Sequence, residues 1–155
     1  MQPDAEQKCE SYLTSALLTS PTNPEALSTL ASLRISQSRL SDARSALTRS
    51  HEVWKSLPAD DPLVPAYPNR LAFTRLLIEC EMYDEAMEVL EGLQEEDDQV
   101  VDLWYMGGWC LWLIGQRMKE GEKVAGWEDD WRDIWATSRD WLMNCEKVSE
   151  SWRPF

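Results

Sequence analysis

A long stretch of the sequence contains acidic residues and no basic ones, and it is the first candidate for a functional site. No lysine or arginine lies between Arg75 and Arg117, whereas eleven acidic residues do. They are Glu79, Glu81, Asp84, Glu85, Glu88, Glu91, Glu95, Glu96, Asp97, Asp98 and Asp102. Such a run is often only a solvated helix face with an acidic loop, but it also suits the docking of a cationic ligand. Both interpretations are open on the sequence alone.

An aromatic stripe follows the acidic run. Tyr105, Trp109 and Trp112 are spaced i, i+4, i+7, so they share one face of a helix. Aromatic residues at this spacing often belong to a core, but they also make a platform for arginine and lysine side chains. The packing side of the same helix is already supplied by Trp104, Gly107, Gly108 and Leu111. We therefore expect Tyr105, Trp109 and Trp112 to contact something other than the helices that pack on the opposite side.

A second aromatic series lies further along the chain. Trp127, Trp131 and Trp135 are spaced at four residues, among Glu128, Asp129, Asp130 and Asp133. We expect these indoles to pack an inserted segment onto the last helix.

Catalytic and metal-binding motifs are missing from the sequence. The four cysteines are spread singly with no CxxC pair, and the one histidine, His51, falls at a position expected in the core. Acid pairs occur without a histidine, serine or cysteine constellation, and GEKVAG lacks the ending of a phosphate loop. We predict no enzyme activity, no catalytic residue, no metal and no cofactor.

The elements that carry these residues form an internal repeat. RLSDARSAL (39–47) and MYDEAMEVL (82–90) match at a shift of 43 residues, each as a turn followed by a helix with a buried alanine, Ala43 or Ala86. Flanking matches occur at a shift of 34, the length of a tetratricopeptide repeat. The extra nine or so residues fall in the proline-rich connector 58–68, where a continuous helix is forbidden. The sequence therefore predicts an all-α, tetratricopeptide-like superhelix of helical hairpins, an α-solenoid.

The repeats predict one solenoid over 1–155. Its units are about 1–23 (a second helix only), 24–57, 67–100 and 101–149, the last with a hairpin lengthened by 116–131 and with Ala136 as the small residue of its second helix. The predicted helices are 4–19, 24–37, 41–56, 68–80, 84–95, 100–118 and 128–149. Without capping features at either end, we expect the chain to be an excerpt of a longer array.

First helices of tetratricopeptide repeats line the concave groove. This geometry selects Glu25, Ser28, Ser32 and Ile35, then Leu71, Arg75, Ile78 and Glu79, then Asp102, Tyr105, Trp109 and Trp112. From these we predict a partner-binding site made of Glu25, Glu79, Asp102, Tyr105, Trp109 and Trp112.

The overall charge limits the classes of molecule that the protein is expected to bind. With 28 acidic and 15 basic side chains, the formal charge of -13 repels nucleic acid and anionic membranes and attracts basic proteins. We expect a monomer in a reducing compartment, because the sequence has no signal peptide, no membrane-spanning run and only single cysteines.

A family resemblance adds to this interpretation. SRLSDARSAL, DDPLVPAYPNRLAFTRLLIECEMYDEAMEVLEGL, EEDDQVVDLWYMGGWCLWLIG and ATSRDWL resemble the fungal dedicated assembly chaperones of large-subunit ribosomal protein uL-four. The resemblance covers most of residues 24–145. It implies an acidic tetratricopeptide protein that shields the basic extended loop of the new ribosomal protein and accompanies it from cytoplasm to nucleus.

Two other functions remain as alternatives. One is a scaffold or cochaperone adaptor that grips an acidic C-terminus, which would need several groove cations where only Arg75 is present. The other is a scaffold for an apolar helix, which would use the tryptophans without the carboxylates.

Overall fold

A computed structural model describes residues 3–153, and within that range the regular secondary structure is helical apart from an isolated antiparallel bridge between Val124 and Trp127. The described helices are α1 (Pro3–Thr19), α2 (Pro24–Ser36), α3 (Leu40–Trp54), α4 (Tyr67–Glu79), α5 (Tyr83–Glu96), α6 (Val101–Lys119) and α7 (Trp131–Ser151). Their ends agree with the predicted helices to within three residues. None of these helices combines the length and the apolar character that a membrane crossing requires.

Two turns show the repeat in the backbone. Ser38 and Glu81 stand 43 residues apart, and each takes a left-handed conformation, with φ of 58° and 62°. Just before them, the N–H groups of Gln37 and Cys80 close the preceding helices by donating to the carbonyls of Leu33 and Leu76. Left-handed geometry is unfavourable for residues other than glycine, so its recurrence marks equivalent turns.

The described residues up to Cys80 form one compact unit, in which α2 and α3 make an antiparallel hairpin and α4 packs against both. The core includes the fully buried Leu27, Leu47 and Leu77, and Ala43 is fully buried as well. His51 is buried against the rings of Trp54 and Phe73, which agrees with its expected place in the core.

The described residues from Glu81 onward form the second unit, in which α6 packs against both α5 and α7. Leu90, Leu103 and Ile114 are fully buried here, and Ala86 is buried as predicted. Burial of these apolar side chains stabilises the unit by about 25 cal/mol for each Å² removed from water.

Three glycines on α6 determine how closely α7 approaches. A Cβ atom built on Gly107 would lie 2.0 Å from the ring of Trp141, one on Gly108 would lie 2.5 Å from Leu142, and one on Gly115 would lie 2.3 Å from Trp135. These distances are far below van der Waals contact. The glycines are therefore places where side chains of α7 lie directly on the backbone of α6.

The small residue of this hairpin was predicted on the wrong helix. Ala136 is exposed, and α7 instead contributes large side chains to the contact, such as Trp141. The buried hydroxyl of Ser138 donates to the carbonyl of Gly108 over 2.7 Å. The small positions are the glycines of α6, so the roles of the two helices are exchanged relative to the α2–α3 hairpin.

The inserted segment is also less helical than predicted. The α6 helix continues to Lys119, residues 120–130 form a loop, and α7 begins at Trp131. Gly121 and Gly126 have positive φ in this loop, and a Cβ atom on Gly126 would lie 2.8 Å from the Asp84 carboxylate. The loop therefore returns to the first turn of α5.

Substitution of two helix glycines should have opposite effects on stability. Gly107→Ala should lower the free energy of unfolding by about 1–3 kcal/mol, because the new methyl group overlaps the Trp141 ring. Gly92→Ala is the matched control, since nothing lies within 4 Å of its Cβ position in α5. It should raise the free energy of unfolding by about 0.5–1 kcal/mol through helix propensity. Urea denaturation measures both, and equal effects would contradict the packing described.

Candidate protein-binding surface

The α6 helix has one buried face and one exposed aromatic face. Leu103, Trp104 and Leu111 lie in the core, whereas Tyr105 is 51% exposed and Trp112 is 46% exposed. Trp109 lies half-buried between them along the same stripe. The alternative that this stripe belongs to the core is therefore wrong, and its role in binding remains a prediction.

The stripe continues onto α7 through stacked indoles. The rings of Trp112 and Trp135 are parallel within 2° with centroids 6.5 Å apart, and Trp135 Nε1 donates to the Trp112 carbonyl over 3.1 Å. Trp131 meets Trp135 edge-on at 5.0 Å. We name the exposed and half-buried rings of these two helices the aromatic surface: Tyr105, Trp109, Trp112, Trp131 and Trp135.

This extension was missed at the sequence level. The spacing of Trp131 and Trp135 was noticed but interpreted only as packing of the inserted segment. Trp127 does not belong to their helix face, because it lies in the loop before α7. The contact between Trp112 and Trp135 depends on Gly115, across which Trp135 lies, and no helical spacing within one segment could indicate it.

Two cations of the chain itself lie over these rings. Lys119 Nζ is 5.2 Å from the Trp131 centroid and 5.0 Å from the Trp135 centroid. The Arg132 guanidinium carbon is 4.4 Å from the Trp131 centroid. The α7 end of the aromatic surface therefore binds positive charge in this structure, as ring faces are expected to do.

Most of the acidic run lies on a different helix from the aromatic stripe. Asp84, Glu88, Glu91 and Glu95 follow one another on the exposed face of α5. The acidic loop after α5 is fixed to the core by Trp104, whose Nε1 donates to the Asp98 carbonyl over 2.7 Å. Carboxylates and indoles are thus separated, and Asp102 is the acidic residue that α6 contributes to its own exposed face.

Asp102 begins the stripe in the first turn of α6, where its side chain is exposed. Burial raises the pKa of the Cys145 thiol on α7, and the negative charge of Asp102 adds to that rise.

Arg117 is the first basic residue after the acidic run, and it pairs with acidic side chains of the second unit. It forms ion pairs with Glu81 and Glu122 and donates to the Tyr83 hydroxyl over 3.2 Å. Burial raises the pKa of Tyr83, and Arg117 opposes that rise. Arg117 therefore joins α6 to the start of α5 and to the loop.

In the first unit, the two predicted binding residues are exposed, whereas two residues that were predicted to line the groove are buried. Glu25 is exposed in the first turn of α2, where Asn69 Nδ2 donates to its Oε1 over 3.4 Å, and Glu79 is exposed at the end of α4. Leu71 and Ile78, however, are 8% and 2% exposed, so they line the core and not a groove.

The error on α4 concerns the width of its buried face. The exposed face of this helix contains Pro68, Ala72, Arg75 and Glu79, which lie 43 positions after the exposed Glu25, Thr29, Ser32 and Ser36 of α2. At the shift of 34 the buried positions of α4 and α6 also agree: Arg70, Phe73, Thr74 and Leu77 pair with Trp104, Gly107, Gly108 and Leu111. The α4 helix additionally buries Leu71 and Ile78, whose counterparts on α6, Tyr105 and Trp112, are exposed.

Nucleophilic and metal-binding groups are not assembled around this surface. Within the described part of the chain, no three histidine, cysteine or acidic side chains are arranged to hold a metal ion. Burial raises the pKa of the Cys110 thiol to about 12, so this thiol remains protonated and poorly nucleophilic near neutral pH.

Alanine substitution of Trp104 and of its neighbour Tyr105 should change the free energy of unfolding by very different amounts, because Trp104 lies on the buried face of α6 and Tyr105 on the exposed face. Trp104→Ala should lower the free energy of unfolding by about 3–5 kcal/mol, because it empties a buried site and removes the bond to Asp98. Tyr105→Ala should change it by no more than about 0.5 kcal/mol. Chemical denaturation compares them, and a large loss for Tyr105→Ala would place that ring in the core.

Comparisons with known proteins cover most of the chain. A scan of protein-family models finds no match. A protein of Emericella nidulans named "Probable assembly chaperone of rpl4" is 50% identical over 146 residues, which is 91% of this chain and 38% of that protein. A protein of Schizosaccharomyces pombe with the same name is 45% identical over 121 residues, covering 77% of this chain and 36% of that protein.

A solved structure agrees with these relatives. The structure titled "Assembly Chaperone of RpL4 (Acl4) (Residues 1-338)" matches with a TM-score of 0.75 and 45% identity, over 78% of this chain and 43% of that one. This match confirms the predicted all-α, tetratricopeptide-like fold class. The chain spans a little over a third of the length of the curated relatives that it matches. Over that part, the chain is similar to the fungal proteins named probable assembly chaperones of rpl4.

Proposed function

We propose that this chain contributes to an assembly chaperone that binds the ribosomal protein rpl4, and that it does so by holding a basic extended segment of that protein. The observation that carries the proposal is the exposed aromatic surface of α6 and α7, which lies in a unit with an excess of acidic over basic residues. The names of the relatives support the identity of the partner and describe a chaperone, which is not a catalytic role.

The aromatic surface supplies the short-range contact in this proposal. Arginine and lysine side chains gain roughly 0.5–2 kcal/mol over each tryptophan or tyrosine face. Tyr105, Trp109 and Trp112 follow one another along α6, so successive basic side chains of an extended segment could each meet a ring. Covering these rings also removes exposed apolar area from water.

The carboxylates of α5 supply the long-range attraction. They are exposed on a helix face distinct from the aromatic stripe, so most of them act through the field and not through direct contact. At physiological ionic strength the screening length is roughly 8 Å, which limits this field to the approach of the partner. Opposite charge over such distances raises the rate of association more than it lowers the rate of dissociation.

The remaining predicted binding residues extend the proposal. Asp102 adds a carboxylate at the start of the stripe, and Glu25 and Glu79 offer exposed carboxylates on the first helices of the other unit. We propose that these three form ion pairs with the basic segment. Each surface pair contributes only about 0–1 kcal/mol, so the indoles should dominate the affinity.

The proposal also includes the oligomeric state and the cellular location of the protein. A monomer acting in cytoplasm and nucleus fits a protein that meets a new ribosomal protein and accompanies it to its assembly site. The negative charge favours a protein partner over nucleic acid.

Purification of the tagged native protein, followed by identification of the main protein that copurifies with it, tests the identity of the partner. Recovery without rpl4 would contradict the proposal.

Removal of the central indole should weaken binding without unfolding the protein. We expect Trp109→Ala to raise the Kd for a basic rpl4 segment by at least about fivefold, which corresponds to roughly 1 kcal/mol. Trp152→Ala is the control, because Trp152 is 70% exposed but lies at the end of α7. Isothermal titration measures both variants, and circular dichroism checks the fold. Unchanged affinity in Trp109→Ala would remove this residue from the site.

Salt should act mainly on the rate of association. Between about 50 mM and about 500 mM NaCl, we expect the association rate constant to fall by about tenfold or more and the dissociation rate constant to change less. Stopped-flow or surface-based kinetics with the same segment measures both constants. A salt-independent association rate would favour a scaffold that binds an apolar helix.

A further inference from the structure

The α7 end of the aromatic surface has the form of a cation-binding site that the chain fills with its own lysine. Trp131 and Trp135 are adjacent on one face of α7 and meet edge-on, with ring planes 79° apart. Lys119 Nζ lies at nearly equal distances from the two centroids, 5.2 Å and 5.0 Å. Two ring faces thus converge on one ammonium group.

The rings account for the position of Lys119 better than any carboxylate does. Among the residues that the structure describes, no acidic oxygen lies within ion-pair distance of Lys119 Nζ. Its neighbour on the rings, Arg132, is different, because its guanidinium pairs with Asp130 at 3.3 Å. Lys119 is therefore held by ring contacts alone, each of which is weak at an exposed site.

The site is continuous with the surface proposed to bind the partner. Trp135 stacks on Trp112, the last ring of the α6 stripe, and its Nε1 is fixed by the Trp112 carbonyl. A chain lying along Tyr105, Trp109 and Trp112 would arrive at Trp135 next. The lysine that the protein places there has the charge that such a basic chain would bring.

We propose that Lys119 occupies a binding site for an arginine side chain of the partner and leaves the two rings when the partner binds. The inference rests on the proposed function for the identity of that partner, but the chemistry of the site can be tested without it. A planar guanidinium stacks on indole more favourably than a strongly hydrated ammonium, so arginine should displace the internal lysine. Lys119 would also shield the rings from less suitable ligands when the partner is absent.

The test uses L-argininamide as the probe and the whole chain as the protein. In the free protein, ring currents should shift the side-chain methylene protons of Lys119 upfield. Titration with argininamide should return these shifts toward ordinary lysine values, while the indole signals of Trp131 and Trp135 change along the same saturation curve. Lysinamide at equal concentration should displace less.

Variants give the second measurement. Lys119→Gln should bind argininamide about threefold more tightly than the wild type, because the internal competitor is gone. Lys123→Gln is the matched control: it removes the same charge from the neighbouring loop, where Lys123 is exposed. Equal gains in the two variants would reduce the effect to net charge and overturn the proposal. So would the absence of saturable changes at Trp131 and Trp135 in the wild type.

The two proposals fail in different ways. If argininamide displaces Lys119 but a basic rpl4 segment does not bind, the cation site stands and the proposed function is wrong. If the segment binds while the Lys119 and Trp131 signals stay unchanged, the proposed function stands and this site is not part of it.

Discussion

The close approach of α7 to the backbone of α6 is the contact on which the binding surface depends. Gly107, Gly108 and Gly115 leave no side chain on that part of α6, and Trp141, Leu142 and Trp135 fill the space. This contact buries one side of α6 and brings Trp135 beside Trp112. If α7 lay a few ångströms further away, Trp112 would no longer stack on Trp135, and Lys119 of α6 would no longer reach the rings of Trp131 and Trp135.

In the second unit, most of the acidic run and the aromatic stripe of α6 lie on different helices. On α6, Asp102 is the carboxylate of the exposed aromatic face, whereas most of the acidic run lies on α5 and the loop that follows it. The α7 end of the aromatic surface differs, because Asp130 and Asp133 flank Trp131 there. In the function that we propose, the α5 carboxylates attract a basic chain over distance and the rings contact it. Trp104 links the two regions, because it lies in the core and fixes the Asp98 carbonyl.

Sequence patterns were sufficient for the helices and for one face of α6. The proline cluster, the repeated turns before Leu40 and Tyr83, and the 3.6-residue periodicity are local signals, so the helix ends could be predicted closely. The exposure of Tyr105 and Trp112 followed from noticing that the packing side was already supplied. What failed depended on contacts between helices: Leu71 and Ile78 were expected in a groove, but α4 is buried over a wider face than α6.

Ala136 and Trp135 show the same limitation. A small residue was expected on α7 because the earlier hairpin has one on its second helix, Ala43, but here α6 has the glycines. Trp135 belongs to the surface through its stack on Trp112, 23 residues earlier, which the sequence could not indicate. Periodicity describes one helix at a time, and the composition of a surface depends on which helices meet.

The central claim is that the exposed face of α6, and not the acidic face of α5, contacts the basic partner. Site-specific photo-crosslinking tests it most directly, with a photoreactive phenylalanine at position 105 in one variant and at position 88 in another. Our account predicts a crosslink to a basic rpl4 segment from the α6 position, with little or none from the α5 position. Efficient crosslinking from position 88 together with none from position 105 would contradict it.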